Sequence, residues 1–136
     1  TVRILMFDPN SQNTLKQRAN SINKQGYSEV DLKSHIQLGA RELIAAYNEI
    51  SNDKKSDFKI RFYDEWVALA MYGYGDDILI GHYLSNNLST EYAYFKVAGR
   101  DKKLFTSFYN HFDEIWSRSL KNEKYDITIN FEQNGK

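Results

Sequence analysis

The chain has no cysteine, which removes disulfides, thiolate metal sites and a cysteine nucleophile together. It also lacks net charge: 18 lysines and arginines balance 18 aspartates and glutamates. No overall field exists to hold a polyanion by counterion release, so direct nucleic-acid binding is disfavoured. No apolar run approaches the ~20 residues that span a bilayer. The opening Thr1-Val2-Arg3-Ile4-Leu5-Met6-Phe7 breaks too early to serve as a signal peptide. Membrane insertion is not expected, and a cysteine-free chain suits a reducing cytoplasm. Chemical motifs are missing as well: there is no G-x-S-x-G, no P-loop, no G-x-G-x-x-G and no H-E-x-x-H. His35, His82 and His111 stand apart from one another in sequence, so neither a metal nor another cofactor is expected.

What is present is a globular composition. Hydrophobic residues make up 41% and charged residues 26% of 136 positions, enough for one core and too little for two. Residues 1–136 are therefore expected to form a single α/β domain. An opening on Thr1 instead of methionine is what a fragment of a longer protein would show.

Periodicity orders the elements. Val2 to Phe7 reads as a buried strand ended by Asp8-Pro9-Asn10-Ser11, where proline fixes φ and removes a donor. Gln12 to Gly26 is polar, with Leu15, Ala19 and Ile22 at near-helical spacing, which fits a short surface helix or an ordered loop. Ser28-Glu29-Val30-Asp31 matches a capping box, and Leu32, Ile36, Ala40, Leu43, Tyr47 and Ile50 follow at helical steps. Ser51 to Asp57 is a charged loop. Phe58, Ile60 and Phe62 alternate with Lys59, Arg61 and Tyr63 as in a half-buried strand. Val67, Leu69 and Met71, then Ile78-Leu79-Ile80, read as a hairpin turning at Gly73-Tyr74-Gly75-Asp76. A strand follows at Tyr92 to Val97, then a helix with a stripe of Leu104, Phe108, Phe112, Ile115 and Trp116. The prior for such a stripe is core packing. Tyr125, Ile127, Ile129 and Phe131 suggest a last edge strand. The expected architecture is a mixed β-sheet flanked by helices in β-α-β-β-β-α order, with a right-handed βαβ crossover between the first strand and the Phe58 strand.

Ligands of open α/β sheets gather at the carboxyl ends of parallel strands. Those ends collect Asp8 and Tyr63-Asp64-Glu65, with His82 and Tyr83 on a neighbouring strand. Asp8 is equally explained as a turn residue, and His82 as an ordinary rim histidine.

The segment from Gly73 to Ser85, with the aromatic helix, resembles half of a phospholipase D superfamily domain. In that family an H-x-K-x-x-x-x-D motif precedes an apolar strand and a glycine-serine pair. Asp76 or Asp77 matches the aspartate, Ile78-Leu79-Ile80 the strand and Gly81 the glycine. The histidine position falls on Leu69 or Ala70, the lysine position on Met71 or Tyr72, and His82 stands where the serine would be. The chain also resembles catalytically degenerate phospholipase D-like regulatory domains of bacteria through Asp8-Pro9, Arg61-Phe62-Tyr63-Asp64 and Phe112-Asp113-Glu114-Ile115-Trp116. That resemblance implies a noncatalytic signalling or sensor part fused to a DNA-binding or signalling domain.

The leading expectation is a regulatory module that binds a small polar ligand, phosphorylated or nucleotide-like. Arg18, Arg61, Tyr63 and His82 would donate hydrogen bonds to it, and Asp8 and Asp64 would accept them. Two alternatives stand beside it. One is a homodimerisation or partner-docking domain using Tyr72, Tyr74, Tyr92 and Tyr94. The other is a phosphodiesterase or nuclease with His82 in an altered site.

Overall fold

The computed structural model describes residues 2–12, 14–22, 28–55, 57–82 and 93–119. The expected strand at Tyr125–Phe131 lies outside them, as do Tyr83 and Tyr92. The described elements are β1 (Val2–Phe7), α1 (Thr14–Ile22), α2 (Glu29–Glu49), α3 (Asn52–Lys55), β2 (Phe58–Tyr63), β3 (Leu69–Tyr74), β4 (Asp77–His82), β5 (Tyr94–Ala98) and α4 (Lys103–Ser119). The protein is mixed α/β, as its periodicity implies. The expected single mixed sheet is instead two: a parallel β1-β2 pair and an antiparallel β3-β4-β5 sheet. Four strands, β2 to β5, and not three lie between the crossover helices and the last helix. None of the described helices is long and apolar enough to cross a membrane.

The parallel pair runs in register from Val2 opposite Phe58 to Phe7 opposite Tyr63, so the alternation of each strand sorts side chains onto two shared faces. On one face Met6 lies against α2 at Gly39, where a Cβ would come 3.5 Å from its Cε. Tyr47 of α2 meets Phe58 there, ring centroids 5.8 Å apart. The helix itself starts where the capping box predicts: Asp31 N donates to Ser28 Oγ and Ser28 N donates to Asp31 Oδ2. The charged segment after α2 is not wholly a loop, because Asn52–Lys55 closes one helical turn.

The other face of the pair is covered by α4. Arg3 and Leu5 of β1 and Arg61 and Tyr63 of β2 alternate onto this face. Arg61 is therefore not on the exposed side of a half-buried strand: it is 7% exposed, with its guanidinium 4.0 Å from the Trp116 ring centroid. Arg3 lies within cation–π range of Phe112 and Trp116 and forms an ion pair with Asp113 at 2.6 Å. The buried side of α4 differs by one position from the expected stripe at its amino end. Leu104 is exposed and Phe105 enters the core, since Phe105, Phe108, Phe112, Ile115, Trp116 and Ser119 hold the continuous helical spacing.

In the antiparallel sheet, a two-residue loop joins β3 to β4, with Gly75 at φ 59, a left-handed conformation that glycine adopts without Cβ strain. Strand β3 extends through Gly73 and Tyr74, which the sequence pattern assigns to the turn. The turn is held from β5: Gly99 N donates to Asp76 O at 2.9 Å, and Arg100 bonds Gly75 O and pairs with Asp76. One sheet face, with Ile78, Ile80 and Val97, packs on Phe105 and Phe108 of α4. Burying each such aliphatic side chain contributes about 1.5–3 kcal/mol.

Candidate functional site

Parallel pairing continues one step past the strands, where Asp8 N donates to Tyr63 O at 2.9 Å. This bond brings Asp8, Tyr63 and Asp64 side by side at the carboxyl ends of β1 and β2. Pro9 then turns the chain. Asp8 Oδ1 accepts from Asn10 N at 2.9 Å, an Asx turn, and Ser11 N donates to Asp8 O at 3.1 Å. Ser11 Oγ takes the amides of Thr14 and Leu15 at the start of α1, satisfying helix-end donors that water would otherwise serve. Thr14 Oγ1 donates to Asp64 Oδ1 at 2.8 Å, pinning the first turn of α1 to the end of β2.

The cluster thus holds a buried carboxylate, Asp8 at 5% exposure, and an exposed one, Asp64, flanked by hydroxyls of Ser11 and Thr14. Tyr63 joins them through its backbone carbonyl, while its ring lies on the α4 face, edge-on to Phe7 at 5.2 Å. Arg18 lies one turn along α1 on the helix face buried with Leu15, Ala19 and Ile22, and its Nη1 donates to Ser21 Oγ at 3.0 Å. As an arrangement this offers hydrogen-bond acceptors at two carboxylates and a donor at the Ser11 hydroxyl, the Thr14 proton being already given to Asp64. It suits the hydroxyl or amine groups of a polar ligand better than a bare phosphate, which two carboxylates repel.

Of the residues expected at the site, Asp8 and Asp64 are brought together, Tyr63 joins them by its backbone alone, and Arg18 lies on α1, whose first turn is tied to them. The other two go elsewhere. Arg61 is drawn under α4, where Nη1 donates to Trp116 O at 3.4 Å. His82 ends β4 in the other sheet, opposite Leu69, and stacks on Phe95 at 5.7 Å. Sequence reasoning missed Ser11 and Thr14, whose signal is faint because small hydroxyls after a turn usually cap helices. It also missed Arg3, which a sharper reading would question: a cation inside an otherwise apolar strand needs a partner.

The far side of the antiparallel sheet is a second feature. Tyr72 (60% exposed), Tyr74 (91%), Leu79 (43%) and Tyr94 (37%) share that face. Tyr94 reaches across β4 to Tyr72, ring centroids 5.8 Å apart, over Gly81, where a Cβ would sit 2.6 Å from the Tyr94 ring. Near the carboxyl end of α4, Arg118 grips Glu65 with two hydrogen bonds of 3.0 and 2.8 Å. These bonds raise the Arg118 pKa further. They also fix the connection from β2 to β3 against the helix. No group of three or more histidine, aspartate or glutamate residues able to hold a metal occurs among the described residues.

Compared with known proteins, the chain matches no family model, no curated protein and no solved structure.

Proposed function

We propose that this chain is a noncatalytic regulatory module with a phospholipase D-like order of elements, binding a small polar ligand at the carboxyl ends of β1 and β2. The observation that carries the reading is the convergence of Asp8, Thr14 and Asp64 there, held by the Asp8–Tyr63 backbone bond and the Thr14–Asp64 side-chain bond. Adjacent parallel strand ends are where open α/β sheets take ligands. The carboxylates favour a nucleoside- or sugar-like ligand rich in hydroxyls, with Arg18 of α1 the cation for a phosphorylated form. Such a module works within a larger cytoplasmic protein, coupled to a DNA-binding or signalling domain. A thermal-shift screen of nucleosides, nucleotides and phosphosugars tests it. A ligand at a hundredfold excess over its Kd adds about 2.7 kcal/mol of stability, a shift of several degrees. Asp64→Ala must lose that shift. If no compound raises the melting temperature, the reading fails.

A docking role has its own support in the exposed Tyr72, Tyr74, Leu79 and Tyr94 face, since contiguous exposed apolar surface marks interaction sites. Homodimerisation through it predicts that light scattering gives twice the monomer mass and that Tyr74→Asp restores the monomer. The enzymatic alternative has less behind it, with His82 in the other sheet, stacked on Phe95.

A further inference from the structure

The two sheets do not pair with each other among the described residues, and α4 bridges the space between them. That space is a cavity of about 140 Å3. Leu5 and Tyr63 wall it from the parallel pair, residues 69–72 from β3, and Phe112 and Ile115 from α4. Tyr72, 60% exposed, also lines it.

The hairpin register determines what β3 shows to this cavity. A two-residue loop makes Tyr74 and Asp77 the closing hydrogen-bonded pair, so Tyr74, Tyr72 and Ala70 turn their backbone groups toward β4. The bond from Gly99 N to Asp76 O sets the same phase from the β5 side. The N–H and C=O groups of Leu69 and Met71 therefore point away from β4, toward the side where the cavity lies. It is an apolar slot with a strand edge along one wall.

We infer that this slot seats a single heteroaromatic ring carrying a donor and an acceptor in its plane, a pyrimidine-type base. Apolar walls of roughly 150 Å3 accept a benzene-sized ring, and a strand residue's N–H and C=O present adjacent donor and acceptor to a planar edge. The volume is too small for a strand-length peptide added to the same edge. The inference rests on the strand-end reading and deepens it: the Tyr63 ring lines the slot and its carbonyl accepts the Asp8 amide, so the base of a nucleoside occupies the slot while its sugar reaches past the end of β2 to Asp8 and Asp64.

An amide NMR titration with uracil, 1,3-dimethyluracil and ribose tests the proposal. Uracil is expected to saturate and to move the Leu69 and Met71 amides. Dimethyluracil keeps the ring but loses its N–H donors, and should bind at least tenfold more weakly. Met71→Pro removes one outward N–H and none of the bonds to β4, and should also weaken uracil tenfold. The unsubstituted protein supplies the decisive titration if that variant does not fold. Uracil that leaves both amides unmoved, or binds no better than dimethyluracil, overturns the proposal. So does an alternating apolar peptide that shifts these amides where uracil does not. Asp64→Ala separates the two readings: it should weaken uridine while leaving uracil unchanged, whereas loss of uridine's advantage over uracil in the parent protein sinks the strand-end site alone.

Discussion

The parallel pair and the antiparallel sheet use similar residues to opposite ends. Both faces of the β1-β2 pair are covered, by α2 and by α4, and even its arginines are consumed in packing: Arg61 lies 4.0 Å from the Trp116 ring centroid, and Arg3 is held by rings and by Asp113. The β3-β4-β5 sheet has one face against α4, while the other leaves Tyr74 91% exposed. Coverage, not residue type, decides whether a cation or an aromatic builds the core or faces a partner. Among the described elements, α4 packs on both regions.

The largest test of this contrast compares Trp116→Ala with Tyr74→Ala. Trp116 stacks on Phe112 at 6.0 Å and covers Arg61. Removing it leaves a cavity and a poorly covered buried guanidinium, for an expected loss of about 3–5 kcal/mol in urea unfolding. Tyr74→Ala should change stability by no more than about 0.5 kcal/mol. Comparable losses at the two positions would erase the distinction.

A second test asks whether α4 makes the regions one cooperative unit. Ile60 in β2 and Ile80 in β4 are both 0% exposed, and each substitution to alanine should cost about 2–5 kcal/mol. Tryptophan fluorescence reports near the parallel pair, and NMR peaks of β5 report on the other sheet. The two probes are expected to give one midpoint in Ile80→Ala. Separate midpoints would show that the antiparallel sheet melts alone.

How far the sequence reveals this division follows from the range of each signal. Local signals read correctly: Ser28 with Asp31 fixed the start of α2, an apolar run ended by Asp8-Pro9 placed β1, alternation placed β2, and a glycine marked the hairpin turn. Which strand pairs with which is a long-range matter, and alternation reports that a strand has two faces without saying what covers them. Hence Arg61 reads as a donor facing solvent until α4 is laid over it, and Leu104 and Phe105 cannot be ranked without knowing where the helix touches. At the strand ends, Asp8, Tyr63 and Asp64 were legible because two strands in parallel crossover must end together. Thr14 was not, since nothing near it in sequence points to Asp64.

Gly81 carries a smaller prediction. Gly81→Ala forces the Tyr94 ring away from its place against Tyr72, at an expected cost of about 1–3 kcal/mol. In a Tyr94→Ala background the same change should be nearly neutral, and a double-mutant cycle measures the coupling. Additive losses would mean that Tyr94 does not lie over Gly81, and the tyrosine face would lose its organising contact.

The smallest effect lies at the amino end of α2, which covers the parallel pair. The Ser28 hydroxyl, 2.6 Å from Asp31 Oδ2, and then the Ser28 backbone amide hold the Asp31 carboxyl below the usual carboxylate range, helped by His35. The folded state therefore binds this proton less readily than the unfolded chain. The resulting stability is complete above the unfolded carboxylate pKa and is lost as pH falls through the lower folded one. Ser28→Ala removes the cap and should cost about 1 kcal/mol at neutral pH. Because the variant also surrenders much of the Asp31 shift, its deficit should shrink on acidification from about pH 5 to pH 2. Urea midpoints of the two proteins across that window measure the deficit. A deficit that stays constant would place the value of Ser28 in its bond from the Asp31 amide alone, and the acid response of α2 would then have to come from elsewhere on its first turn.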